Sequence, residues 1–214
     1  MASDILPTEL LLEAYRTGLF PMAESRDSEK LFWVNPEKRG VFPLNRFHIS
    51  RSLARQLRKS PYEFKVDHDF DGVVAGCASR EDTWINASIK QSYRALFDLG
   101  HAHTLEVYDG SQLVGGVYGV SIGAAYFGES MFSRRPNTSK MALAYLVDRL
   151  LLAGFKLFDT QFLTPHLATL GAVEISQNTY LTALIDAVDK AADFNLPDIP
   201  NSAQEMIQRN TQTS

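Results

Sequence analysis

HTLEVYDGSQLVGGVYGV, residues 103–120, consists of two strands and the turn between them. His103–Tyr108 and Gln112–Val120 flank Asp109-Gly110, a dipeptide whose residues tolerate the positive φ of a tight hairpin. The sheet is therefore expected to begin antiparallel. Downstream, Ala124–Gly128 predicts a third strand. A helix from about Thr138 to Ala153, closed by Gly154, then leads into a buried strand over Phe155–Phe162 and a helix from about Gln177 to Ala191. A meander followed by strands interleaved with helices predicts an α+β (mixed α/β) domain, its mixed sheet flanked by helices on its faces. That architecture by itself names no function.

Upstream, Leu10, Leu11, Ala14 and Tyr15 recur at helical spacing after Pro7 and Thr8, and Gly18 can end that helix. With the polar loop Glu24–Lys30 and the aromatic pair Phe32-Trp33, residues 1–40 form a small N-terminal unit, and residues 41–194 the larger domain. In that domain Ser50 caps a helix to Ser60, Tyr62–Val66 alternates as a strand, and Asp69 and Ser88 cap helices ending at Ala78 and Gly100. Residues 195–214 are polar and poor in apolar residues, which predicts a loose tail. No internal repeat or low-complexity segment is present.

With 214 residues, 45% of them hydrophobic, the chain can bury a real core. The lone Cys77 excludes an intrachain disulfide and a cysteine-rich zinc site. The N-terminus has no basic segment followed by an apolar core, and no apolar run approaches the ~20 residues of a membrane span. A soluble, cytoplasmic monomer is expected. The net charge of −4 is unevenly spread: Lys38, Arg39, Arg46, Arg51, Arg55, Arg58, Lys59 and Lys65 face the single acid Glu63, so this segment carries +7 and the remainder −11. A basic segment in an acidic protein points to a specific anionic partner. On the helix it contains, Arg51, Arg55 and Arg58 share one face opposite Leu53 and Leu57, without the interleaved glutamates of an ordinary surface helix. Either this is a solvated amphipathic face or it tracks a nucleic-acid backbone.

Catalytic constellations are sparse. Cys77, in Val-Val-Ala-Gly-Cys-Ala, has the setting of a buried structural thiol. His101 and His103 share a strand face but have no third ligand, so no metal is expected. A P-loop, a G-x-G-x-x-G fingerprint and a G-x-S-x-G elbow are all missing. In GESMFSRR, residues 128–135, a carboxylate follows the glycine that ends an apolar run and two arginines stand beyond it. The arginines could hold a phosphate, Glu129 could hold a substrate amine, or all could be solvated loop charges. Asp159 and Gln161 share a face of an apolar core strand, where polar groups are costly unless partnered, so they are structural hydrogen-bonders or site residues.

Taken in order, Gly18-Leu-Phe-Pro21, His48-Ile-Ser-Arg-Ser52, Thr83-Trp84-Ile85, Gly100-His-Ala-His103, Leu113-Val-Gly-Gly-Val-Tyr-Gly119, Gly128-Glu-Ser-Met-Phe-Ser-Arg134, Asp159-Thr-Gln161 and Leu170-Gly-Ala172 resemble the leucyl/phenylalanyl-tRNA–protein transferase family over roughly residues 8–185. The resemblance implies a bacterial enzyme, with no cofactor, that moves leucine or phenylalanine from its tRNA to the N-terminus of a protein beginning with arginine or lysine, marking it for degradation. It also implies a GNAT-like larger domain. By the same resemblance, Arg51, Arg55 and Arg58 bind tRNA, and Trp84 stacks on the terminal adenosine. Asp159 and Gln161 orient and activate the attacking amine, Glu129 lies near the acceptor, and Val117, Tyr126, Leu143, Leu146 and Phe158 line the pocket for the transferred side chain. Met22 stands where the best-known members carry a second stacking tryptophan, and the apolar lining leaves the preference among leucine, phenylalanine and methionine open. Two other classes stay in view: an acetyl-CoA-dependent acetyltransferase, although Arg134-Arg-Pro-Asn-Thr-Ser139 lacks the glycines of a pyrophosphate loop, and a non-catalytic RNA-binding protein.

Overall fold

A computed structural model describes residues 5–198 and 203–212. The N-terminal unit holds α1 (Thr8–Arg16) and a two-stranded antiparallel ribbon of β1 (Phe20–Ala23) and β2 (Leu31–Val34). β3 (Lys38–Phe42) then enters the main sheet, so the division expected at residue 40 falls inside a strand. The chain continues through α2 (Arg51–Lys59), β4 (Glu63–Val66), α3 (Phe70–Cys77), α4 (Ala87–Asp98), β5 (Ala102–Asp109), β6 (Gln112–Ile122) and β7 (Ala125–Ser133). It ends with α5 (Thr138–Leu152), β8 (Leu157–Gln161), α6 (Pro165–Ala168), β9 (Val173–Ser176), α7 (Gln177–Val188) and α8 (Ala203–Gln212).

The seven strands of the main sheet run in the order β4-β5-β6-β7-β8-β3-β9, antiparallel throughout except for β7 beside β8. The hairpin forms, but its turn lies one residue later than expected: Asp109 ends β5 and pairs with Gln112, and the two turn residues are Gly110, at φ 59°, and Ser111. The sheet is mixed because α5 carries the chain from the end of β7 back to the start of β8, the crossover that a parallel pair needs. Helices cover both faces. On one, α5, α2 and α8 bury Leu105, Val117, Tyr126 and Phe158. On the other, α1, α3, α4 and α7 bury Tyr15, Tyr118, Phe127 and Tyr180.

Two local expectations are corrected. The helix expected from a Ser88 cap begins earlier: Asn86 Oδ1 accepts from Ile89 N, and Ser88 is buried inside α4. Nor do residues 203–212, expected as part of a loose tail, lie loose. Ala203, Met206 and Ile207 recur at i, i+3 and i+4, and α8 buries the last two against α2 and α5 while Arg209 makes two hydrogen bonds to Asp148, at 2.7 and 2.6 Å. Low apolar content concealed a correctly spaced apolar stripe.

Candidate active site

The site is made by a parting of strands. β7 pairs with β8 only from Ala125 to Phe127, yet it continues along β6 to Ser133. Beyond Phe127 and Asp159 the two strands diverge, and a cavity of about 510 Å³ opens between them. Each of its strand walls carries a bulge. Tyr118 pairs with Ser130 and Gly119 with Gly128, which leaves Glu129 as the extra residue; Gly40 pairs with Gln161 and Val41 with Asp159, which leaves Thr160. A bulge re-aims side chains that strict alternation would send to the opposite face. Gly40 permits the second one, since a Cβ there would lie 2.6 Å from the Phe162 carbonyl carbon.

Glu129, expected just past a strand end, thus lies within β7 and faces the cavity. Its Oε1 accepts from Tyr15 Oη at 2.7 Å and from Gln161 Nε2 at 3.1 Å, and its Oε2 from Tyr93 Oη at 3.0 Å; the two tyrosine hydroxyls also touch, and one can donate to the other only in place of its bond to Glu129. Burial raises the Glu129 carboxyl to about 7, a shift that the Tyr15 and Tyr93 hydrogen bonds oppose and the Asp159 charge reinforces. Near neutral pH this carboxyl is poised between its two states.

Asp159 is fully buried and does not border the cavity. The reason is alternation along β8: Phe158 and Thr160 face the cavity, whereas Asp159 points to the α7 side. There Arg39 Nε bonds both carboxylate oxygens, at 2.9 and 3.1 Å, Arg39 Nη2 bonds Oδ2 at 2.6 Å, and Tyr180 Oη donates to Oδ2 at 2.7 Å. Asp159 Oδ1 also accepts from the backbone N–H of Gln161 at 2.8 Å, and Gln161 has φ 56°. That left-handed conformation turns the Gln161 side chain away from Asp159 and toward Glu129, so the two residues expected on one face lie on different ones.

The apolar end of the cavity is walled by Phe42, Val117, Leu143, Phe158 and Leu167, and Trp84 and Met22 stand on its border. Tyr126 and Leu146, expected in the lining, are not there. Tyr126 packs against Phe155, Phe158 and Phe194 in the core beneath α5, and Leu146 lies one turn beyond Leu143 on that helix, fully buried. Thr160 Oγ1 and His166 Nε2 belong to cavity-lining residues and have no hydrogen-bond partner among the described residues. Burial first, and then the Lys140 charge, lower the His166 pKa, so its imidazole is neutral at pH 7.

Residues 41–185 match the family model described as leucyl/phenylalanyl-tRNA protein transferase, and residues 4–37 match that of its N-terminal domain. Relatives named leucyl/phenylalanyl-tRNA–protein transferase include one from Ruegeria pomeroyi, 60% identical over 98% of this chain and 99% of its own. Another, from Roseobacter denitrificans, is 56% identical over the same shares, and one from Cereibacter sphaeroides is 55% identical over the whole of both chains. The chain belongs to the leucyl/phenylalanyl-tRNA–protein transferase family. It is an aminoacyltransferase.

In this member of the family Arg51, Arg55 and Arg58 are exposed along α2 while Leu53, Ala54 and Leu57 dock it, and Arg58 Nε bonds Gln204 Oε1 of α8 at 2.6 Å. Arg39 must be struck from the surface charge of the basic segment, because it is buried against Asp159. Arg134 and Arg135 do not enter the cavity lining: Arg134 Nη1 donates to the Leu113 carbonyl at 2.9 Å, and Arg135 lies 3.9 Å from Asp109 at the hairpin turn. Cys77 is buried and its thiol is pushed up to about 12, which leaves it inert. Sequence reasoning missed Tyr15, Tyr93, Arg39 and Tyr180. For the tyrosines the sequence signal was too weak, since helical spacing marks them as core and gives no hint that their hydroxyls converge on one carboxylate.

Proposed function

We propose that this enzyme transfers leucine, phenylalanine or methionine from aminoacyl-tRNA to the N-terminal α-amine of proteins that begin with arginine or lysine, as a cytoplasmic monomer that marks them for degradation. The observation that carries the reading is the hydrogen-bonded pair of Glu129 and Gln161 in the lining of a mainly apolar cavity, where among the described residues no cysteine and no hydrogen-bonded serine–histidine pair is present. Such a site suits an acyl donor that is already activated. Among the described residues no helix is long and apolar enough to cross a membrane, which agrees with the proposed location.

The chemistry needs little more than placement. An aminoacyl ester is reactive toward amines, and a protein α-amine with pKa of about 7.7–8 is partly neutral at pH 7. Val117, Leu143 and Phe158 seat the transferred side chain, and Trp84 stacks on the terminal adenine. Gln161 commits its amide N–H to Glu129, which leaves its amide oxygen to accept from the incoming amine. Glu129 faces the cationic side chain of the acceptor. The amine attacks the ester carbonyl, the amide C–N bond forms, the bond to the ribose oxygen breaks, and the proton lost by nitrogen ends on that oxygen. Asp159 acts as a positioning residue, holding the Gln161 backbone in place from behind. Alignment of this kind can supply much of the acceleration. Apolar contacts discriminate by only about 1–3 kcal/mol per methylene, so related side chains are accepted.

The test is to incubate the protein with leucyl-, phenylalanyl- and methionyl-tRNA and peptides beginning with Arg, Lys or Ala, and separately with acetyl-CoA. Aminoacyl transfer to the Arg and Lys peptides is expected. Acetyl transfer alone, or RNA binding without transfer, would overturn the reading.

A further inference from the structure

A second cavity, of about 320 Å³, lies between the start of α2, the start of α5 and the turn after α6. Most of the residues that line it are polar: His48, Ser50, Ser52, Gln56, Asn137 and Lys140 contribute donors, and among the described residues no carboxylate lines it. Ser50 Oγ and Ser52 Oγ act as acceptors, from Leu53 N and Gln56 Nε2, so their own O–H groups remain free to donate. Gln56 and Asn137 are tied together, the Asn137 amide donating to Gln56 Oε1 at 2.8 Å, and this joins the two helices across the cavity. Lys140 forms no ion pair among the described residues, and Arg51 and Arg55 stand exposed on the helix that forms one wall. A hollow with donors all round, a free ammonium and no acid is built for an anion.

Its position says which anion. The two cavities share walls: Ser139 borders the first and Lys140 the second, and His166 and Leu167 border the first while Thr169 and Leu170 border the second. The Lys140 charge is also felt at His166. A chain leaving the first cavity along this wall therefore meets the second beside the arginines of α2.

We propose that the second cavity binds a phosphodiester of the single-stranded 3′ end of the RNA donor, next to the terminal nucleoside held in the first cavity. The inference rests on the transfer reading above. It makes Lys140 and Ser52 contacts for the RNA backbone that are indifferent to base identity.

The experiment compares three phenylalanyl donors: phenylalanyl-adenosine, which has no phosphodiester; the dinucleotide cytidylyl-adenosine carrying phenylalanine, which has one; and phenylalanyl-tRNA. KM is measured for each at several salt concentrations with wild type, Lys140→Gln and Ser52→Glu. Lys140→Gln should raise KM for the dinucleotide and the tRNA roughly three- to tenfold and leave phenylalanyl-adenosine unchanged. The slope of log affinity against log salt should fall by about 0.7, the value for one single-strand phosphate contact. Ser52→Glu should act in the same sense and more strongly. A carboxylate in the first turn of a helix favours folding, so its effect is not an effect of unfolding. Equal losses for all three donors, or an unchanged salt slope, would overturn the phosphate site. If wild type accepts none of the donors, the transfer reading falls and the phosphate site falls with it.

Discussion

Glu129 is a carboxylate set by a bulge against two tyrosine hydroxyls and an amide, close to a cavity where an acceptor cation is proposed to sit. A charged hydrogen bond contributes about 1.5–3 kcal/mol, so Glu129→Gln should slow transfer to Arg- and Lys-starting peptides ten- to a hundredfold. The Ala-starting peptide and the affinity for aminoacyl-tRNA should change little. Apparent second-order rates for the three peptides decide it; equal slowing of all three would show that Glu129 does not recognise the acceptor side chain. The same group sets a pH dependence. With its carboxyl raised to about 7, Glu129 gains its charge only as pH rises through neutrality, so transfer to an Arg peptide should climb along a limb centred near pH 7. Glu129→Gln should leave only the limb of the α-amine itself, at about 7.7–8. Tyr93→Phe removes a hydrogen bond that favours the carboxylate, so it should move the Glu129 limb to higher pH. For stability the sign is reversed from that of a salt-bridged acid. The folded protein holds the Glu129 proton from the ordinary carboxyl value of 4.5 up to about 7 while the unfolded chain releases it, so stability falls as pH rises through that window. Urea midpoints between pH 5 and 8 should fall less with rising pH in Glu129→Gln than in wild type.

At the scale of elements, α2 shows three exposed arginines and is braced from behind by α8. Changing Arg51, Arg55 and Arg58 together to alanine should weaken every charged tRNA about equally and flatten the salt dependence, because phosphate contacts carry little base information. An unchanged salt slope in a filter-binding or anisotropy titration would return this face to the role of a solvated surface. The α2 face was legible in the sequence because helical periodicity separates Leu53 and Leu57 from the arginines without any knowledge of the neighbours. The hairpin was legible because Gly110 supplies the positive φ of its turn, although the turn is Gly110-Ser111 and not Asp109-Gly110. What periodicity could not supply was position within the sheet. β3 joins β8 and β9 across more than a hundred residues of sequence, and neither bulge can be seen until the register of the partner strand is known. Asp159 and Gln161 were therefore placed together by the period of a regular strand, and the positive φ at Gln161 separates them. α8 was hidden for another reason: its few apolar residues, Ala203, Met206 and Ile207, make a stripe by their spacing, which low overall apolar content does not reveal.

At the scale of the whole molecule, one buried cation ties the parts together. Arg39, on β3, is 0% exposed; Nη1 donates to the Gly18 carbonyl at the start of the N-terminal ribbon, its other nitrogens hold Asp159 on β8, and its guanidinium lies 4.7 Å from the Phe20 ring and 4.3 Å from the Tyr180 ring of α7. Burial alone would lower the Arg39 pKa, but the Asp159 hydrogen bonds and charge carry it above its usual value. Arg39→Met would leave the Asp159 carboxylate buried without its cation, and breaking a buried pair from one side typically costs about 3–5 kcal/mol. Denaturant midpoints should fall accordingly. Adding Asp159→Leu removes the stranded charge as well, and replacing both partners by apolar groups is often near neutral, so the double variant should recover most of the lost stability. Transfer should not recover with it. Asp159 also fixes the backbone N–H of Gln161, and without that bond the amide is no longer held toward Glu129. The double variant is thus expected to fold nearly as well as wild type, bind aminoacyl-tRNA nearly as tightly, and transfer slowly. If its rate at saturating donor returns along with its stability, Asp159 is only the counter-charge of Arg39, and the orientation of Gln161 does not depend on it.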